Sequence, residues 1–140
     1  MEKFFGVLRI LIEKLKGIDF AVLGSYNLYL QGIKINPKDL DLITDDNGIH
    51  KIIDIFGSSI ATNEGKYKET EFEINDVEIH VVSNINNELR PPFRNNIIWL
   101  EKDNLKIPCM SLESELSFYE KINREKDKGK AELIKQKLNK

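Results

Sequence analysis

Phe20-Ala21-Val22-Leu23-Gly24-Ser25 and, further on, Asp39-Leu40-Asp41-Leu42-Ile43-Thr44 hold the two features around which the rest of the chain is arranged. The apolar run from Phe20 to Leu23 reads as a strand that turns sharply at Gly24-Ser25 into a helix. Glycine permits the close or strained backbone of such a turn, and serine is a good helix N-cap. Residues 39–44 read as a second strand. Side chains alternate faces along a strand, so Asp39 and Asp41 share one face while Leu40 and Leu42 share the other. Two carboxylates so close repel each other unless a cation lies between them. Taken alone the pair reads equally as a solvated strand edge or, since aspartate is a poor strand former, as residues selected for something other than strand stability.

Working outward, residues 2–16 carry an apolar stripe at helical spacing, with Phe4, Leu8, Leu11 and Leu15 as its spine and Gly17 as its C-cap. Residues 18–23 form a nearly continuous apolar run, which suits a strand covered on both faces. A short helix is expected from Ser25 to about Gly32, with Leu28 and Tyr29 inward. Pro37 then leads into the strand of the paired aspartates. Helix returns from about Ile49 to Phe56, with His50 on its solvent side. Tyr67–Ile74 and Val77–Ser83 flank Asn75-Asp76, a two-residue hairpin turn. That register pairs Ile74 with Val77 and Phe72 with Ile79 on an apolar face. It pairs Glu73 with Glu78 and Glu71 with His80 on the other, where opposed glutamates are mildly destabilising.

Residues 84–93 read as a loop holding Pro91-Pro92, flanked by Arg90 and Arg94, residues able to grip phosphate in a bidentate fork. Short strands are expected at residues 97–100 and 105–109, with Cys109 as buried filler. Ser111 starts a helix striped by Leu112, Leu116, Tyr119 and Ile122. A last helix runs from about Arg124 to Leu138 with Ala131, Leu133, Ile134 and Leu138 inward. Lys121, Arg124, Lys126, Lys128 and Lys130 make this region basic. The expected class is α/β (α+β): a small mixed sheet backed by helices, in one domain over residues 1–140, with a helical C-terminal part.

The order strand, Gly24-Ser25, helix, Asp39-Leu40-Asp41 strand resembles the signature of the minimal nucleotidyltransferases of the DNA polymerase beta superfamily. The strand Val77-Glu78-Ile79-His80-Val81 and the segment Asn123-Arg124-Glu125-Lys126-Asp127 resemble later parts of small members. The resemblance implies a Gly-Ser turn that lies against nucleotide phosphates and paired aspartates that hold Mg²⁺. It implies a third carboxylate from the later strand. Glu78 supplies that carboxylate in one alignment, and His80 stands in its place in the other. The implied reaction moves a nucleoside monophosphate from a nucleoside triphosphate, ATP by default, to a hydroxyl. Asp39, Asp41, Glu78 and His80 are the catalytic candidates, with Asp39, Asp41 and Glu78 as metal ligands. Gly24, Ser25, Arg90, Lys121 and Arg124 are the candidates for nucleotide binding.

Composition bounds the alternatives. The chain has 140 residues, 41% of them hydrophobic and 31% charged, with a net charge of −2. A cytoplasmic, globular protein is expected: no apolar run nears the roughly 20 residues that span a bilayer, and no secretory signal pattern opens the chain. The single cysteine excludes an internal disulfide. The acidic balance argues against broad nucleic-acid binding, so a protein or small-molecule hydroxyl ranks first as acceptor. A second reading is a fold that no longer transfers nucleotides and binds a nucleotide or a helical partner, as in the toxin–antitoxin pairs the resemblance allows. A third is a structural protein whose acidic face is fortuitous.

Overall fold

A computed structural model describes residues 2–63, 67–83 and 92–139. In chain order the elements are α1 (Glu2–Lys14), β1 (Phe20–Leu23), α2 (Gly24–Leu30), β2 (Leu40–Thr44), α3 (Asp46–Phe56), β3 (Ala61–Asn63), β4 (Tyr67–Ile74) and β5 (Val77–Ser83). After these come a 3-10 turn (Phe93–Asn96), β6 (Ile97–Lys102), β7 (Leu105–Met110), α4 (Leu112–Ile122) and α5 (Glu125–Leu138). The strands form one mixed seven-stranded sheet in the order β3-β4-β5-β2-β1-β7-β6. β2 runs antiparallel to β1 and parallel to β5, and β1 runs parallel to β7.

The register sorts side chains onto two unlike faces. Val22 opposes Leu42, and Leu40 and Leu42 lie beside Ile79 and Val81. These residues join Val7, Leu8, Leu11 and Leu15 of α1 and Ile49 and Ile52 of α3 in the main core. On the opposite face Leu23 opposes Asp41, and Asp41 lies beside His80. A smaller cluster of Ala21, Leu23, Ile43, Phe93 and Met110 covers part of that face. β1 is therefore apolar throughout because both its faces are covered. A third cluster ties α2, α4 and α5 together through Leu28, Leu112, Tyr119 and Ile134.

The hairpin register is the one expected: Ile74 pairs with Val77, Phe72 with Ile79, Glu73 with Glu78 and Glu71 with His80. Asn75 and Asp76 both take positive φ, as a type I′ turn requires. Several boundaries differ from the reading of the sequence. α3 starts at Asp46, because Asp45 caps it by accepting from the Gly48 N–H. β3 adds an edge strand too short to show a pattern. Phe93 lies in the 3-10 turn and is buried. Leu138 is exposed, because the packed part of α5 ends near Ile134. Ser25 does not cap α2: it sits inside the first turn, and Leu23 holds the cap position with no side-chain bond. No helix among the described residues is long and apolar enough to cross a membrane.

Candidate functional site

Gly24 turns β1 into α2 with a φ of +77°, a conformation that favours glycine. A Cβ there would lie 2.5 Å from Asp41 Oδ2, so the missing side chain is the space in which the Asp41 carboxylate sits. The backbone of the turn and the second aspartate are thus in direct contact. Asp39 lies one residue before β2, and both carboxylates are part-buried.

A cleft of about 390 Å³ opens between this face of the sheet and the α4–α5 pair. Gly24, Ser25, Asp39 and Asp41 line one side. Phe118, Tyr119 and Ile122 of α4 supply an apolar wall, and Arg124, Lys126 and Lys130 bring positive charge to it. Arg124 is held by Asp127, which is fully buried and accepts from Nε at 2.5 Å and from a terminal guanidinium nitrogen at 3.2 Å. Lys130 stacks its ammonium over the Tyr119 ring, 5.3 Å from the centroid.

His80 occupies the strand position beside Asp41. Its Nε2 lies 3.7 Å from Asp39, 3.3 Å from Glu71 and 3.0 Å from Glu78. That nitrogen is shielded from solvent and lacks a well-directed hydrogen bond, so charge attraction dominates these contacts. Asp39, Asp41 and His80 offer ligand atoms within 4.8 Å of one another. Glu78 instead groups with Glu71 and His80, on the exposed side of the hairpin. The two carboxylates suit a hard cation such as Mg²⁺, whereas the imidazole is a softer ligand that Mg²⁺ does not favour.

The electrostatics match this crowding. Burial pushes the Asp41 carboxyl up to about 6, the Asp39 charge adds to the push, and His80 and Lys130 pull against it. Burial alone would lower His80, but Glu78, Asp39, Asp41 and Glu71 outweigh it and raise its affinity for a proton. His80 thus stands beside the paired aspartates, where a proton on its ring relieves their repulsion. Burial pushes the Cys109 thiol up to about 12, which leaves no thiolate for chemistry.

The remaining candidates separate. Lys121 lies on another depression, with Glu113, Leu116, Ser117 and Glu120, and not on the aspartate cleft. Its helical position turns it away from the face that Phe118, Tyr119 and Ile122 present. Arg94 is paired to Asp19 at 3.0 Å and to Asp45, on the side of the sheet edge marked by Ile18 and Trp99. Arg90 lies outside the described residues. His50 is exposed, 3.0 Å from the Lys68 ammonium.

Two contributions escaped the sequence reading. Lys126 and Lys130 look like solvated helix surface until the α4–α5 corner folds over the cleft. Glu115 is fully buried, and its Oε2 accepts from the Gly24 N–H at 2.6 Å and from Asn27 Nδ2 at 3.0 Å. The available signal was its place beside Leu112 and Tyr119 on the buried side of α4.

Among solved structures, the chain is similar to a candidate nucleotidyltransferase from Thermotoga maritima, at 25% identity and a TM-score of 0.73. That match covers 99% of this chain and 94% of the other. It is also similar to the lincosamide antibiotic adenylyltransferase LnuA in its lincomycin-bound form, at 18% identity and a TM-score of 0.65, over 96% and 95% of the two chains. ANT(2")-Ia in complex with adenylyl-2"-tobramycin matches at 14% identity and a TM-score of 0.64, over 96% and 87%. No family model and no curated protein matches the sequence. The fold is the minimal nucleotidyltransferase fold, and the likeness supports an enzyme of that class.

Proposed function

We propose that this chain transfers a nucleoside monophosphate from a nucleoside triphosphate, ATP by default, to a hydroxyl acceptor. One observation carries the reading: a single cleft brings the Asp39–Asp41 pair and the Gly24-Ser25 turn opposite Arg124, Lys126 and Lys130. Carboxylates on one wall and cations on the other suit a metal-bound polyphosphate, which needs both.

Asp39 and Asp41 would hold Mg²⁺, which when bound neutralises charge on the transferring phosphoryl group. Arg124, Lys126 and Lys130 grip the phosphate oxygens, and Ser25 offers its hydroxyl beside them. Phe118 and Ile122 give the nucleoside an apolar surface and keep water from the reacting phosphorus. His80, beside Asp41, helps to orient the acceptor hydroxyl, whose proton passes to water as its oxygen attacks. The oxygen then bonds to the α-phosphorus as the bond to the bridging oxygen breaks. The products are a nucleoside monophosphate ester and pyrophosphate. A small hydroxyl-bearing molecule and a protein hydroxyl are the leading acceptors, and the chain works as one domain.

The test is thermal unfolding with and without Mg²⁺ and ATP, on wild type and Asp41→Asn. Ligand at 100 times its Kd stabilises a fold by about 2.7 kcal/mol, a shift of several degrees for a domain of this size. The expected shift needs both Mg²⁺ and Asp41. No shift at millimolar ATP would sink the reading.

A second reading is favoured by the identity of His80: it stands level with Asp41 where the resemblance leads one to expect a carboxylate, which fits a nucleotide- or partner-binding module without transfer, one that pairs with a helical protein. His80→Asp separates the two: transfer gained points to a binding module, transfer lost to a working histidine.

A further inference from the structure

Glu115 lies within α4 with none of its surface exposed. A buried carboxylate is costly to desolvate and is kept where hydrogen bonds repay the cost. Here one oxygen, Oε2, accepts from the Gly24 N–H at 2.6 Å and from Asn27 Nδ2 at 3.0 Å. Asn27 is equally buried, and its Nδ2 also donates to the Met110 carbonyl at 2.9 Å. Gln31 Nε2 closes the network, donating to Asn27 Oδ1 and to the same carbonyl, both at 2.8 Å. The bonds join the Gly24-Ser25 turn with α2, the end of β7, and α4.

The two ends of α4 then matter. Its first turns hold the Gly24 amide through Glu115. Its last turns present Phe118, Tyr119 and Ile122 to the cleft and lead through Asn123 to Arg124. An apolar residue at position 115 would pack as well against Leu112 and Tyr119, but it would leave the Gly24 amide buried without an acceptor. We infer that Glu115 is a positioning residue, holding the Gly24-Ser25 turn and the basic α4–α5 wall at the separation at which both grip one nucleotide. The inference rests on the nucleotidyl-transfer reading of the cleft. It also means that the Gly24 N–H is committed inside the protein, so that on this turn the nucleotide meets Ser25.

The experiment compares wild type, Glu115→Gln and Leu112→Ala, each as the full chain. Three quantities are read: the Kd for a non-hydrolysable ATP analogue with Mg²⁺, the unfolding midpoint, and the amide proton shift of Gly24 by NMR. Glu115→Gln is expected to move the Gly24 amide upfield and to weaken analogue binding about tenfold, the scale on which supporting partners of a ligand-bearing site act. Leu112→Ala, on the same helix but outside the network, lowers the midpoint and leaves the Kd of the folded protein unchanged. A Glu115→Gln protein that binds the analogue as wild type does would overturn the inference, leaving the transfer reading intact. Wild type that binds no analogue would overturn both. Should Glu115→Gln not fold, Asn27→Ser removes the second donor of the same carboxylate. A smaller loss of affinity is then expected, and an unchanged Kd overturns the inference.

Discussion

The two faces of β2 and β5 are built on opposite terms. On one, Leu40, Leu42, Ile79 and Val81 are fully buried and complementary to α1 and α3. On the other, one residue along each strand, Asp39, Asp41 and His80 crowd together with Glu71, and the protein gains nothing from the carboxylate repulsion. The period-2 alternation of a strand lets a single segment serve both ends. The apolar face supplies the free energy that keeps the charged face assembled, and the charged face uses it to hold groups that would otherwise separate. The contrast teaches where changes stabilise and where they harm.

The largest expected effect falls on the packed face. Leu42→Ala removes a fully buried side chain at the centre of the sheet and is expected to cost about 2–5 kcal/mol in denaturant unfolding. Its effect on nucleotide binding by the folded protein should be small. A loss of binding out of proportion to stability would break the division between the faces.

The charged face predicts the opposite sign. The Asp41 carboxyl in the folded protein titrates at about 6, against 3.8 ordinarily. Its contribution to stability is therefore fully present below about pH 4 and is lost as pH rises through 6, because the folded state binds the proton more tightly. His80, raised above 6.5, acts in the same sense, its contribution being lost as pH rises through its folded value. Without metal, the protein should thus lose stability from about pH 4 through pH 6 as Asp41 titrates, and further above 6.5 as His80 does. Asp41→Asn should flatten that slope and, near pH 7.5, stabilise the fold by about 1–3 kcal/mol, given 1.36 kcal/mol per pKa unit. It should also abolish metal-dependent nucleotide binding. A pH scan of the unfolding midpoint checks the first part, and a midpoint lowered by Asp41→Asn would contradict the account.

The two faces were unequally legible in the sequence. The apolar face follows from local rules: alternation in residues 77–83, a helical stripe in α1, and Asn75-Asp76 as a turn that fixes the hairpin register. The paired aspartates and Gly24-Ser25 were legible because their spacing is local too. What was not legible depends on distant residues meeting. Glu115 reaches Gly24 from α4. Lys126 and Lys130 join the cleft only because Asn123, in the left-handed conformation, ends α4 and turns α5 across its mouth. Ser25 looked like a cap because the sequence could not reveal that a carboxylate from α4 takes the first amide of the turn. The choice between Glu78 and His80 turned on which residue of β5 stands level with Asp41 across a parallel pair, a register no local pattern sets.

That choice yields the smallest predicted effect. Glu78 faces Glu73 across the hairpin and His80 along its own strand. Glu78→Gln removes the repulsion of the first contact and the attraction of the second. Both pairs are largely exposed, where each is worth about 0.2–1 kcal/mol. The net change in stability should stay within about 0.5 kcal/mol, the usual range for surface substitutions. Nucleotide binding and transfer should change little, because Glu78 lies outside the cluster formed by Asp39, Asp41 and His80. His80 should lose part of its raised proton affinity, since Glu78 is the strongest of the groups that raise it. If Glu78→Gln instead removed Mg²⁺-dependent binding as completely as Asp41→Asn, the metal site would extend across the hairpin, and the third ligand would be Glu78, with His80 left to balance its charge.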